Sequence, residues 1–184
     1  LRYCNSTTER DALVSTHGWT IEGDIFACPA TIPFITTWKT DNPGVSNNTS
    51  ITIPTTGIGY DYDVDWDNDG VFDEFGLTGN VTHDYGVAGT YTVAIRGYFP
   101  RIYFNYGGDR EKIMTIEQWG NIAWQSMERA FRGCENLVIN ATDAPDLSAC
   151  NSTNNMFAHC KALNQNINHW DVSTITDMES MFSN

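Results

Sequence analysis

The sequence predicts a mixed fold: an all-β sandwich followed by an α/β solenoid of short repeats, with a small helix-strand unit in front. Three observations point there. Phe131, Cys134 and Leu137 recur as Phe157, Cys160 and Leu163, 26 residues on each time. Asp146, Ser148 and Met156 recur as Asp171, Ser173 and Met181 at an offset of 25. A fixed period of this size is the mark of a solenoid, in which each repeat buries its apolar face against its neighbours. Upstream, short strand-like runs alternate with turn residues, as in a sandwich. The expected boundaries are 1–30 for the leading unit, 31–100 for the sandwich and 101–184 for the solenoid.

In the leading unit, Ser6-Thr7-Thr8-Glu9 reads as a capping box, with Ser6 at the N-cap and Glu9 three residues on. His17-Gly18 closes the helix with glycine at C′. The run Trp19 to Ile25 then alternates like a strand. In the sandwich, the strand-like runs are Thr36 to Trp38, Ser50 to Ile53, Tyr60 to Trp66, Val81 to Tyr85 and Thr90 to Phe99. Within the third, Tyr60, Tyr62, Val64 and Trp66 point one way and Asp61, Asp63, Asp65 and Asp67 the other. Two packed sheets with the aromatic face inward fit this pattern. In the solenoid, short strands at Ile113 to Ile116, Leu137 to Ile139 and Leu163 to Ile167 alternate with helical turns. Those turns carry Met127, Ala130 and Phe131, then Met156 and Phe157, then Met178, Met181 and Phe182. One strand and one short helix per coil is the construction of a leucine-rich repeat.

The chain of 184 residues carries 23 acidic against 10 basic residues, a net charge of -13. That balance argues against nucleic-acid binding, which needs clustered Lys and Arg to neutralise phosphates. It suits a soluble extracellular protein, with Ca²⁺ as a natural partner; it also serves plain solubility. No run of about eighteen apolar residues exists, so no membrane span is expected. No signal-like segment opens the chain, and the last repeat stops part-way, so it reads as a segment of a longer or processed polypeptide. Cys4 and Cys28 bracket the leading helix and strand and are disulfide candidates. Cys134 and Cys160 occupy equivalent rungs and read as a buried small-residue ladder, with Cys150 left over.

The candidate metal ligands are Asp65, Asp67, Asp69 and Asp73. The string Asp65-x-Asp67-x-Asp69-Gly70 has the form of the first half of a calcium loop, where alternate oxygens converge around a sharp turn. The second half departs from it, because Gly76 stands where a bidentate Glu belongs. The other reading is a polar hairpin turn. Trp119 and Trp124 are the candidate ligand-binding aromatics, with core packing as the alternative, and Trp170 reads as core. No nucleophile elbow, zinc-protease helix, phosphate loop or dinucleotide fingerprint occurs, so the chain is expected not to be an enzyme.

The string NQNINHWDVSTITDMESMF, Asn164 to Phe182, closely resembles the repeat of bacterial BspA-like leucine-rich-repeat surface proteins. Residues 81–96, VTHDYGVAGTYTVAIR, together with VDWDNDG at 64–70, resemble PKD-type immunoglobulin-like domains. The opening YCNSTTERDALVSTHGWTIEGD resembles the piece that closes such a repeat array. These resemblances imply an extracellular, cell-surface or secreted adhesion module. It would combine a sandwich spacer with a repeat surface for host, matrix or glycan ligands, beside tandem domains or identical copies. In the PKD-type domains the aspartate string is mainly a structural turn. A second reading is a fibre subunit, in which the N-terminal unit of one copy caps the open solenoid of the next.

Overall fold

The computed structural model describes residues 15–18 and 31–184. The chain divides into two compact units, Leu1–Thr31 and Ile32–Asn184. In the first, residues 15–17 are helical and Gly18 follows at φ +64°. That is the left-handed C′ position that His17-Gly18 predicts. The capping box, the strand expected at Trp19 to Ile25, and Cys4 and Cys28 lie outside the described residues.

The second unit is built from eight strands: β1 (Phe34–Lys39), β2 (Ser50–Ile53), β3 (Asp61–Asp65), β4 (Glu74–Leu77), β5 (Val81–Asp84), β6 (Thr90–Tyr98), β7 (Ile113–Gln118) and β8 (Val138–Ile139). Six form one sheet in the order β4-β3-β6-β1-β7-β8, and β2 pairs with β5 in a second. Alternation decides which faces are inside. Phe34, Thr36 and Trp38 of β1, Tyr62 and Val64 of β3, Val93 and Ile95 of β6, and Ile51 and Ile53 of β2 are all buried. The one polar residue in the β1 series is satisfied locally, since Trp38 Nε1 donates to Thr36 Oγ1 at 2.8 Å. The result is β-sandwich-like, and its core continues without a break into Ile113, Ile116, Trp119, Phe131 and Phe157.

Strand β1 has two partners. It pairs antiparallel with β6, Phe34 opposite Ile95, and antiparallel with β7 on its other edge, Thr36 opposite Ile116. Strand β7 in turn pairs parallel with β8, Thr115 opposite Val138. The sheet therefore crosses residue 100 unbroken. Beyond it the chain winds in stacked coils joined by backbone hydrogen bonds in a constant register. Phe104 N donates to Ala130 O, Phe131 N to Met156 O and Phe157 N to Met181 O, at 3.0, 2.9 and 2.9 Å. The side chains stack in the same register. Phe131 lies over Phe157 at 5.6 Å, and Phe157 over Phe182 at 5.8 Å, with rings within 14° of parallel.

The expected α/β solenoid of leucine-rich repeats is not what these coils form. Among the described residues only 15–17 are helical, and the segments expected as helical turns are short hydrogen-bonded turns. The backbone shows why. A helix needs successive N–H groups to bond within their own segment. Here alternate donors leave it: Arg129, Phe131 and Gly133 donate to Asn154, Met156 and Ala158 of the next coil. The intervening donors close local turns instead, Ala130 to Met127 O, Arg132 to Arg129 O and Cys134 to Phe131 O. Arg129, Asn155 and Ser180, at equivalent places, sit at φ +55°, +53° and +55°, which no helix accommodates. Residues 163–167 form no strand.

Where the sandwich meets the coils, the turn before β7 carries two buried charges. Asp109 is 1% exposed and Lys112 0%. The Asp109 carboxylate accepts from Val45 N, Ser46 N, Ser46 Oγ and Thr52 N at 2.7 to 3.0 Å. Lys112 Nζ donates to Ser46 Oγ and to the carbonyls of Ser46, Asn47 and Ser50 at 2.7 to 3.1 Å. Gly44 passes so close that a Cβ there would collide with both side chains. Burial pushes the Lys112 ammonium below the ordinary lysine value, while the Asp109 and Asp41 carboxylates act the other way.

Removing the anion strands three amide donors beside a buried cation. Asp109→Ala is expected to cost roughly 3–5 kcal/mol in urea unfolding, the summed penalty of the donors left without an acceptor. A loss under about 1 kcal/mol, the scale of a single neutral hydrogen bond, would contradict this role for the pair.

Candidate functional site

Strand β3 delivers its acidic face to one turn. The predicted alternation holds for Tyr60, Tyr62, Val64 and Trp66, all buried, and breaks at the strand end, where Asp65 is itself buried. Its carboxylate closes the turn that follows: Oδ1 accepts from Asp69 N at 3.3 Å and Oδ2 from Gly70 N at 2.9 Å. Asp73 Oδ2 accepts from Trp66 N at 2.8 Å, and Trp66 Nε1 donates to Glu74 Oε1 at 3.0 Å. A carboxylate oxygen from each of Asp65, Asp67 and Asp73 lies within 4.8 Å of the others. Three of the four predicted ligands thus converge. Asp69 turns away, its Oδ1 accepting from Val71 N at 2.7 Å.

Crowding has a cost at Asp67. Local loss of water, followed by the neighbouring Asp69 and Asp65 charges, holds its carboxyl above the ordinary aspartate value. Three hard carboxylate oxygens converging on one turn are the ligand type that Ca²⁺ takes. The same carboxylates already serve the backbone as turn closers, so a structural role stands beside the metal-binding one.

The predicted ligand-binding tryptophans are interior. Trp119 and Trp124 are each 0% exposed. Trp119 stacks on Phe34 at 5.6 Å, and Trp124 meets Phe34 edge-on at 5.2 Å, so neither offers a face to a ligand. Trp170 packs edge-on to Trp119 at 5.2 Å, in the core as read from sequence. Cys134, Cys150 and Cys160 are free and buried. Burial raises the Cys134 thiol and pushes Cys160 up to about 12, which removes thiolate reactivity. His83 stacks on Trp66 at 4.6 Å as a packing residue.

Sequence reasoning missed a second cluster, on the coil surface. Tyr106, exposed, has Arg110 Cζ 5.0 Å and Arg132 Cζ 5.8 Å from its ring centroid, and meets the His159 ring edge-on at 5.4 Å. A signal for it existed, because Tyr106 and Arg132 stand 26 residues apart, one coil of the repeat. Nothing in the sequence marks Lys112 as buried, since Arg110-Glu111-Lys112 reads as a solvated charge run.

A family described as "Mycoplasma protein of unknown function, DUF285" matches residues 110–184. That span begins at the turn before β7 and covers the chain from there on, leaving out the first coil rung at Phe104 to Tyr106. No curated protein and no solved structure matches the chain. No described helix is long and apolar enough to cross a membrane.

An acid whose folded pKa is raised carries a penalty when charged, present at neutral pH and fading as pH falls through its titration. Asp67→Asn is therefore expected to raise the melting temperature at about pH 7 in low salt, and the gain to vanish near about pH 3. If the turn holds Ca²⁺, adding the ion stabilises the parent more than Asp67→Asn. A variant less stable than its parent at neutral pH without calcium would contradict the crowding argument.

Proposed function

We propose that the chain is a non-enzymatic interaction module of an extracellular or cell-surface protein. The sandwich acts as spacer, and the coil stack presents a surface to host, matrix or glycan ligands. The observation that carries the reading is the coil register. The same backbone bonds and stacked phenylalanines repeat from coil to coil, 25 to 27 residues apart, so side chains at equivalent places form rows on a rigid face. The resemblance of Asn164 to Phe182 to repeats of bacterial surface proteins supports the same reading.

A second reading is self-association into a fibre, with copies of the chain joined end to end. One experiment addresses both. Light scattering over a dilution series comes first, then binding of the whole chain, with and without Ca²⁺, to matrix proteins and a glycan panel. A monomer with saturable binding at up to about 100 μM is the expected outcome. Mass rising with concentration favours the fibre. A monomer that binds nothing on either panel contradicts both.

A further inference from the structure

The surface around Tyr106 differs from the rest of this acidic chain. Lys39, Arg96, Arg101, Arg110, Arg129 and Lys161 each have a carboxylate within 4 Å, namely Asp41, Asp63, Glu128, Glu111, Glu128 and Glu135. Lys112 is buried against carbonyls. Among the described residues that leaves Arg132, whose side-chain partner is the neutral Asn105 Oδ1 at 3.4 Å. Its Nε is buried without a partner, as are those of Arg101, Arg110 and Arg129, so what Arg132 offers a ligand is its terminal nitrogens, which face no carboxylate.

The arrangement is held in place. Asn105 and Tyr106 are consecutive non-glycine residues at φ +44° and +66°, a conformation that costs free energy and persists only where the surroundings enforce it. Those surroundings include the ladder bonds Asn105 N to Arg129 O and Tyr106 N to Arg132 O, at 3.2 and 2.9 Å. Gly133 lies beneath, and a Cβ there would press on the Tyr106 ring and the Arg110 stem. The exposed ring is thus fixed beside Arg110, Arg132 and the His159 imidazole.

We propose that Tyr106, Arg132 and His159 form a binding site for a carboxylated sugar, the carboxylate meeting the Arg132 guanidinium and the sugar ring lying against Tyr106. This rests on the surface-interaction reading above and narrows its ligand. A guanidinium without a carboxylate of its own is the protein group best matched to a planar carboxylate, which it takes in a fork. An aromatic ring with polar neighbours suits a hydroxyl-bearing ring. An acidic peptide would require further apolar anchors beside the cation. Tyr106 is the one large apolar side chain exposed between residues 99 and 171. The other basic residues nearby, Arg110 and Lys161, are neutralised by Glu111 and Glu135, so the site reads a single carboxylate rather than a dense polyanion.

The test uses the whole chain against polygalacturonate, the same polymer after reduction of its carboxyls to alcohols, and polyglutamate. Binding to polygalacturonate is expected, with affinity falling as salt rises and with both other polymers at least about tenfold weaker. Arg132→Gln and Tyr106→Ala, checked for folding by circular dichroism, each lose about tenfold. Tyr106→Phe keeps the ring and most of the binding, and Lys39→Gln, on β1, changes nothing. Equal binding to the reduced polymer, tighter binding to polyglutamate, indifference to both variants, or no binding to polygalacturonate would each overturn the site. If matrix proteins or neutral glycans still bind, this inference fails while the interaction reading stands; if nothing binds, both fail.

Discussion

The whole second unit depends on one strand being paired along both edges. Strand β1 gives one edge to β6 of the sandwich and the other to β7 of the coils. A sheet edge is a row of unsatisfied donors and acceptors, which natural proteins must cover. Here the first coil strand does so, and its own far edge receives β8 in parallel. From there the hydrogen-bond register passes from coil to coil as far as the Phe157–Met181 and His159–Ser183 bonds. The sandwich therefore works as the template on which the stack is built, and the core runs through both as one body.

The pairing across this seam is irregular, with register shifts on both sides of Thr36-Thr37. Something other than regular ladder geometry must fix it. Asp109 and Lys112 supply that, reaching from the turn before β7 into the loop between β1 and β2. Burying two charges is expensive, and a well-packed apolar pair would often be as stable. What the two buried charges provide is specificity. Each group demands particular partners at particular distances, so a slipped register would leave buried charge unpaired, a penalty no apolar contact would impose.

Much of this was legible in the sequence. Ser50 to Ile53 is the strand expected, and β3, β5 and β6 fall within a residue or two of their expected limits, because period-two alternation reports burial directly. The 26-residue recurrence of Phe131 and Cys134 was legible because Phe131, Phe157, Cys134 and Cys160 are all interior. The helices were misread because Met-x-x-x-Phe spacing resembles a helical face, while the competing coil-to-coil bonds are long-range and leave no local signal. Strand β4 was not expected, because its Gly76 was weighed only as the departing position of a calcium loop. For the acidic turn, spacing grouped four aspartates; the fold brings oxygens of Asp65, Asp67 and Asp73 together, while Asp69 Oδ1 accepts from Val71 N, which spacing could not foretell. Trp119 and Trp124 show the limit most plainly, because composition counts aromatics without saying which side of a seam they occupy.

The central claim, that sandwich and coils form one cooperative body through the β1–β7 seam, is tested most directly by native-state hydrogen exchange under increasing urea. Amides of β3, deep in the sandwich, and of Phe131, Asn155 and Phe157, in the coil ladder, should converge on a single opening free energy with a common urea dependence. If the coil amides open at much lower urea while β3 stays protected, the seam does not couple the two, and the account is wrong.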